Sequence, residues 1–341
     1  MKIAIHKSKS GFHPRWKTYC EEQNIDFKLV DCYDTNLIEN LKDCYCLFWH
    51  HSQGNPADII IAKQILFALE HTEFKVFPDF KTSWHFDDKV AQKYLFERLD
   101  LPCADSYVFF DKKKALEWIE ITSFPKVFKL RGGAGAANVS LVKNKVAAKA
   151  IINKAFDTGF KNYDARSNLK ERFRKWRNGK ANFYSILKGF VRFIKPPLFS
   201  KVAGREIGYV YFQDFMANNS SDIRVVVIDN KAFALKRYVR ANDFRASGSG
   251  NFAYAKEEFD ERCITLAFEA TAKIKTQCGV YDFVFDAQNN PLFIEISYGF
   301  TASGYDDCPG YWDNNLNWHE GTFNPQGWMI DLVIKSNFKI L

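Results

Sequence analysis

The chain has 341 residues, 47% of them hydrophobic and 26% charged, which excludes a miniprotein, a disordered chain and a collagen-like one. At roughly 150 residues per domain the length fits two or three units. The net charge of +8 is concentrated, because residues 161–201 hold twelve Lys or Arg against Asp164 and Glu171, a local net of +10, and the other 300 residues sum to −2. That pattern points to one anionic contact surface and not to a generally basic protein.

No apolar run reaches the roughly 18 residues that a membrane span needs. The opening residues lack the apolar core of a signal peptide, so a cytoplasmic protein is expected. The eight cysteines form no CxxC pair and no zinc spacing with histidine, and free, mostly buried thiols are expected.

In chain order, Ile3 to Ile5, Phe27 to Val30, Cys46 to Trp49 and Lys75 to Phe77 are short apolar runs that alternate with helical stretches such as Ala57 to Leu69. This βαβ rhythm predicts a small parallel sheet. Asp87 to Leu99 reads as a helix with two aspartates in its first turn, where the helix dipole favours them. Ser106 to Phe110 reads as a strand and Lys114 to Ile121 as a helix. Pro125 to Leu130 and Val139 to Val142 form a hairpin around a glycine-rich tip, Arg131 to Ala137. The basic segment follows as an insertion, helical around Leu169 to Trp176, with an apolar tail from Phe183 to Ile194 closed by Pro196-Pro197. Strands are predicted at Tyr209 to Phe215, Arg224 to Ile228 and Ala232 to Tyr238, then a Gly/Ser loop at Ser247 to Gly250 and a helix from Glu257 to Gln277. The strands Tyr281 to Phe285 and Leu292 to Ser297 are joined by a turn of composition Gln-Asn-Asn-Pro. The end, Tyr305 to Trp328, is rich in Trp, Gly and Pro.

Three constellations carry chemistry. Lys129 ends a strand just before Gly132, Gly133 and Gly135, where small residues let backbone N–H groups approach phosphate and an ammonium neutralises it; a flexible hairpin explains the glycines equally well. The glycines fit neither the P-loop nor the dinucleotide-binding pattern. Asp282 and Glu295 fall on neighbouring strands, with Ser297 on the face of Glu295, and two carboxylates on one sheet face suit Mg²⁺ bridging nucleotide phosphates; a half-solvated acidic face is the alternative. Arg224, Arg237 and Arg245 lie at strand ends and beside the Gly/Ser loop, where guanidinium groups suit phosphate or carboxylate, although surface arginines are common. His50-His51 and His85 read as polar loop or strand-end residues.

Taken in order, these pieces resemble the ATP-grasp superfamily, in the branch of glutathione synthetase and the ribosomal-protein glutamate ligases. The resemblance runs from about Asp87 to Ser297. Asp88-Lys89 is similar to the Asp-Lys pair whose lysine contacts nucleotide phosphate, Lys129 to the second nucleotide lysine, and Gly132 to Ala137 to the phosphate-covering loop. Tyr211-Phe212-Gln213-Asp214-Phe215 resembles the adenine-binding hinge strand. Asp222-Ile223-Arg224 and Asp243-Phe244-Arg245 resemble motifs of the glutamate-ligase branch, and Asp282 with Glu295 the metal-binding acids. Two departures stand out: Ser297 replaces the usual Asn metal ligand, and the Asn-x-x-Pro-Gly continuation is replaced by Tyr298-Gly299-Phe300. The Gly/Ser loop and the Cys-Pro-Gly-Tyr-Trp tail also resemble ATP-grasp proteins linked to surface polysaccharide synthesis.

The resemblance implies an α/β ATP-grasp fold with an N-terminal α/β unit at residues 1–86, a small subdomain at 87–206 carrying the basic helical insertion 157–201, and a C-terminal subdomain at 207–341. It implies an ATP-dependent carboxylate–amine ligase using ATP and Mg²⁺, through an acyl phosphate. The nucleotide would be held by Lys89, Lys129, Gly132, Gly133, Gly135, Gln213, Asp214 and Phe215, the metal by Asp282 and Glu295, with Arg224, Arg237 and Arg245 catalytic. A kinase of a sugar or polyol and a non-catalytic nucleotide-binding module are the alternatives. The basic segment is expected to recruit an anionic acceptor; a solvated helical face and contact with an anionic membrane or polymer are the alternatives. Nucleic acid is disfavoured, since the aromatics of residues 161–201 suit helix packing as well as base stacking, and a homodimer is the default expectation.

Overall fold

The alternation of apolar runs and helices in the first eighty residues builds a parallel sheet. The strands are β1 (Ile3–His6), β2 (Phe27–Val30), β3 (Cys46–Phe48) and β4 (Lys75–Phe77), paired in the order β2-β1-β3-β4 and connected through the helices α1 (His13–Glu22), α2 (Leu37–Leu41) and α3 (Pro56–His71). The structure, a computed structural model, describes residues 1–8, 10–132, 138–177, 179, 181–240 and 243–335.

A short helix α4 (Phe80–Ser83) leads into α5 (Lys89–Arg98). The two aspartates expected in the first turn of α5 lie before it. Asp88 is the N-cap, its carboxylate accepting from the Ala91 N–H, and Asp87 stands outside the helix at φ 58°. A carboxylate at that cap satisfies an N–H that the helix leaves unpaired, a stronger placement than the first turn.

Next come β5 (Ser106–Phe109), α6 (Lys112–Ile121), β6 (Lys126–Lys129), β7 (Ser140–Val142) and α7 (Lys145–Asp157). A two-strand stem, β8 (Phe160–Lys161) with β9 (Arg205–Glu206), carries α8 (Ala165–Arg177), α9 (Phe183–Ile194) and α10 (Leu198–Val202) between its strands. The strand β10 (Val210–Asp214) then returns to complete an antiparallel sheet of order β5-β10-β6-β7. Its buried face, with Phe128, Val142 and Phe212, packs on Ala115 and Ile119 of α6 and Ala148 and Ile152 of α7.

The largest sheet holds β11 (Ser221–Ile228), β12 (Lys231–Tyr238), β13 (Phe252–Ala253), β14 (Cys278–Phe285), β15 (Pro291–Ser297), β16 (Gly310–Asp313) and β17 (Trp318–Glu320), with α11 (Glu261–Ile274) and α12 (Pro325–Lys335). The run Val225 to Ile228 is apolar at every position because both faces are covered. Val225 and Val227, with Tyr281 and Phe283, meet α11 through Cys263, Ala267 and Ala270. Val226, Ile228, Phe233 and Val280 meet the first sheet, through Ile3, Ile5 and Phe48, and α12, through Met329, Ile330 and Val333. One core thereby joins the first eighty residues to the C-terminal sheet. All eight cysteines are free thiols, six of them buried. Among the described residues no helix is long and apolar enough to cross a membrane.

Candidate active site

A cleft of about 1100 Å³ is lined by residues of the two antiparallel sheets and of the segments that follow β1 and β3. Its floor is a row across three strands. Arg224 on β11 stands directly opposite Asp282 on β14, which stands opposite Glu295 on β15. Arg224 grips Asp282 with two bonds, Nε to Oδ1 at 2.5 Å and Nη2 to Oδ2 at 2.7 Å. Arg237 on β12 binds Asp222 in the same forked manner, at 2.6 and 2.7 Å, and spends Nη2 on Asp282 Oδ2 at 2.7 Å as well. Burial opposes ionisation at Asp282, but Arg224 and Arg237 outweigh it and hold its carboxyl well below the usual range.

Two lysines stand over this row. Lys89, the first residue of α5, places Nζ 3.2 Å from Glu295 Oε1, and its backbone N–H donates to the Arg131 carbonyl at 2.9 Å, tying the helix start to the glycine-rich turn. Lys129 donates to Gln213 Oε1 at 2.6 Å. Burial pushes Lys129 down to about 8. At Lys89 burial is offset by Glu295, which keeps that ammonium above its ordinary value. Lys89, Lys129, Arg224 and Arg237 thus face Asp222, Asp282 and Glu295, with Asp87 also acting on Lys89, so fixed cations and carboxylates alternate across the cleft floor.

The donor set fits a divalent cation that brings phosphate oxygens with it. Asp282 Oδ1 accepts one bond and Oδ2 two, so a lone pair of Oδ1 remains, and the Glu295 side chain is 33% exposed with Lys89 beside it. Two carboxylates are a usual protein share of a Mg²⁺ shell completed by water and phosphate. Among the described residues no group of three or more His, Cys, Asp or Glu forms a closed metal cage. The Ser297 hydroxyl is engaged by Gly299, donating to its carbonyl and accepting from its N–H, each at 3.1 Å.

The apolar part of the lining includes Val127, Phe215, Met216, Val284 and Ile294. Ile294 was not legible from strand periodicity, since a strict period of two turns it away from the face of Glu295. The register jumps from Asp282–Glu295 to Phe283–Phe293, so Ile294 is an extra, bulged residue, and a bulge re-aims a side chain. Gln213 and Asp214 reach the cleft with their side chains already held: Gln213 Nε2 donates to Ser106 Oγ at 3.1 Å, and Asp214 accepts from Lys126 at 2.5 Å. Lys126 is buried over the rings of Tyr107 and Trp118. Gly132 lies beside Asp87, while Gly133 and Gly135 lie outside the described residues. Arg245 pairs with Asp243 at 2.8 Å and reaches the Val139 carbonyl at 3.5 Å, so the loop beyond β12 touches the far side of the glycine hairpin.

Sequence reasoning missed the N-terminal wall. Ser8, Ser10 and Gly11 after β1, and His50 and His51 after β3, line the same cleft. The available signal was topological, because ligands of open parallel sheets bind beyond the carboxyl ends of the strands. Gly11 sits at φ +80°, and a Cβ there would come within 2.5 Å of the His50 ring. His50 Nδ1 accepts from the Phe12 N–H at 3.0 Å. The two histidines are not simple polar loop residues: burial pushes them down to about 4 and about 3, and His51 Nε2 has no hydrogen-bond partner. His85 is fully buried and likewise pushed down, to about 4.

Residues 203–306 match the RimK-like ATP-grasp domain. No curated protein matches the chain. Among solved structures, the biotin carboxylase domain of 2-oxoglutarate carboxylase from Hydrogenobacter thermophilus, in complex with MgADP, ADP and bicarbonate, superposes with a TM-score of 0.59 at 12% identity, covering 98% of this chain and 69% of that one. A RimK domain ATP-grasp protein from Sphaerobacter thermophilus gives 0.55 at 12% identity over 98% and 100% of the two chains. D-alanine–D-alanine ligase from Bacillus anthracis gives 0.56 at 11% identity over 99% and 97%. The chain therefore has the ATP-grasp fold, with a RimK-like ATP-grasp domain matched over residues 203–306.

Proposed function

We propose that the chain is an ATP-dependent carboxylate–amine ligase working through an acyl phosphate. The observation that carries this reading is the row Arg224, Asp282 and Glu295 beneath Lys89 and Lys129, a cluster of fixed charges at the floor of the cleft. The solved D-alanine–D-alanine ligase of the same fold, also known with ATP bound, supports it by analogy.

In the proposed reaction a substrate carboxylate oxygen attacks the γ-phosphorus of ATP, the bond to the bridging oxygen breaks and ADP leaves. An amine nitrogen then adds to the acyl carbon, phosphate departs, and the nitrogen proton passes to solvent. No side-chain nucleophile is needed. Lys89 and Lys129 hold phosphate oxygens, while Arg224 and Arg237, locked by carboxylates, present fixed positive charge to the oxygens on which negative charge grows. Asp282 and Glu295 would hold Mg²⁺, which when bound neutralises phosphate charge. Val127, Phe215, Met216 and Ile294 offer the apolar slot for adenine next to Gln213 and Asp214, and Arg245 with its loop faces the glycine hairpin across the phosphates. The acceptor lies at the N-terminal wall beside His50 and His51. Residues 1–86, 87–206 and 207–341 act as three units around the cleft, and the acceptor is an anionic compound such as a nucleotide sugar or acidic glycan.

The test is ADP release across carboxylates and amines, with hydroxylamine as a surrogate amine. A ligase yields hydroxamate dependent on ATP and on the correct carboxylate. ADP release with a hydroxyl acceptor and no hydroxamate would replace this reading with a kinase.

A further inference from the structure

The segment that carries the positive charge also presents an apolar face. On α9 the residues Phe183, Leu187, Phe190, Val191 and Ile194 recur at helical spacing on one side, and they are 57, 47, 57, 55 and 84% exposed. The inward side of α9 is a different one: Ile186 and Gly189 are buried, and a Cβ on Gly189 would come within 2.8 Å of Leu169 on α8. The exposed stripe is therefore left over after the helix has met its neighbour. On α8, Phe173 and Trp176 are 51 and 40% exposed and extend it, Trp176 lying edge-on to Phe183 at 6.0 Å. Six of the eight aromatics of residues 161–201 are exposed and not absorbed by packing between helices, while Tyr163 and Phe199 are half-buried. Lys188, Arg192 and Lys195 lie along and at the end of the same helix.

We propose that the α8–α9 hairpin is a docking surface for an anionic lipid bilayer, with the α9 stripe at the acyl-chain boundary and Lys188, Arg192 and Lys195 among the headgroups. A helix of 12 residues is too short to span a bilayer but suited to lying in its interface. Charge selects the occupant. A second copy of this chain would bring one +10 segment against another, which repels. A soluble anion would answer the charge and leave the aromatic stripe in water. An anionic bilayer answers both.

The place of the hairpin gives docking a consequence. Its stem, β8 with β9, touches both ends of the glycine-rich turn: Asn138 donates to the Lys161 carbonyl at 3.2 Å, and Arg131 Nε lies 3.6 Å from Glu206. The bilayer would sit on the element whose root borders the phosphate side of the cleft. This inference rests on the surface and stands whether or not the ligase reading does.

The experiment is sedimentation of the full chain with phosphatidylcholine vesicles, with and without phosphatidylglycerol, at low and high salt. Binding is expected only with phosphatidylglycerol. It should fall roughly tenfold or more in Leu187→Ser/Phe190→Ser and in Lys188→Glu/Arg192→Glu, while both variants, altered at the surface, keep the wild-type melting temperature. Wild-type protein that stays in the supernatant with phosphatidylglycerol at low salt would overturn the proposal. So would unchanged binding of the serine variant, which would leave a purely electrostatic surface, or a wild-type dimer in solution that the serine variant dissociates.

Discussion

The Arg224 guanidinium and the Asp282 carboxylate form a forked ion pair, at 2.5 and 2.7 Å, with Asp282 buried. Arg237 adds a third bond to the same carboxylate. An open metal ligand would be replaceable without harm to the fold; Asp282, with two guanidinium groups aimed at it, is not. Asp282→Asn leaves both arginines facing a neutral amide, and breaking a buried pair from one side costs about 3–5 kcal/mol. Turnover and stability should fall together, the latter read from the denaturant midpoint. An unchanged midpoint would contradict this account. The pH dependence follows from the sign: the folded-state pKa of Asp282 is held below its unfolded value, so its contribution is complete above the ordinary carboxylate pKa and is lost as pH falls through the folded value.

Glu295→Gln weights the two effects differently. Glu295 keeps a third of its side chain exposed, but its ion-pair partner at 3.2 Å, Lys89, is buried and keeps Asp87 nearby, so stability should fall, though by less than in Asp282→Asn. Mg²⁺-dependent ATP turnover should fall by about 10² or more, since charge aimed at the reacting phosphates is the main protein contribution. Full ADP release from this variant would remove Glu295 from the proposed metal site.

How much of this was legible in the sequence depends on the range of the interactions. The strands β1 to β4, β10 to β12, β14 and β15 carry apolar runs or alternation, and the acids Asp282 and Glu295 fall on the expected face because the period of a strand is fixed. The bulge at Ile294 is a register event between two strands, and no residue of β15 announces it. The N-terminal wall is invisible for another reason, since Gly11 and His50 meet only when β1 and β3 pair. The clamps on Asp282 are legible as residue types but not as partners: Arg237 could have been a surface arginine, and its burial at 5% exposure settles otherwise. On α9 the apolar residues were plain, but which side is covered depends on where α8 lies.

Buried histidines make the fold sensitive to acid. Burial pushes His6 and His50 down to about 4, His51 to about 3 and His85 to about 4. For each, the folded state disfavours the charged form, so stability is complete above the unfolded pKa of about 6.5 and declines as pH falls toward the folded value. Unfolding at pH 5 should therefore take up protons, at a cost of at most ~2 kcal/mol per histidine relative to neutral pH. The His85 ring makes only weak contacts with the backbone of Lys81 and of its own residue, so His85→Leu should flatten the pH dependence with little change in stability at pH 7. A variant as acid-sensitive as wild type would assign the effect elsewhere.

Lys129 gives a signature of nucleotide binding that needs no turnover. Buried at the end of β6 and pushed down to about 8, its ammonium is about half deprotonated near that pH in the free protein. A polyphosphate placed against Lys129 favours the charged form and raises its pKa, so binding must take up protons from solvent. Uptake should be near zero well below pH 8, about half a proton at pH 8, and larger above it until the pKa of the complex is passed. Calorimetry of ATP binding in two buffers of different ionisation enthalpy measures that number directly. Lys129→Met removes the titrating group and should abolish the buffer dependence along with part of the affinity, while Gln213, left without its 2.6 Å partner, keeps its bond to Ser106. A wild-type uptake curve in Lys129→Met would show that the proton goes to another group and that Lys129 does not meet the phosphates.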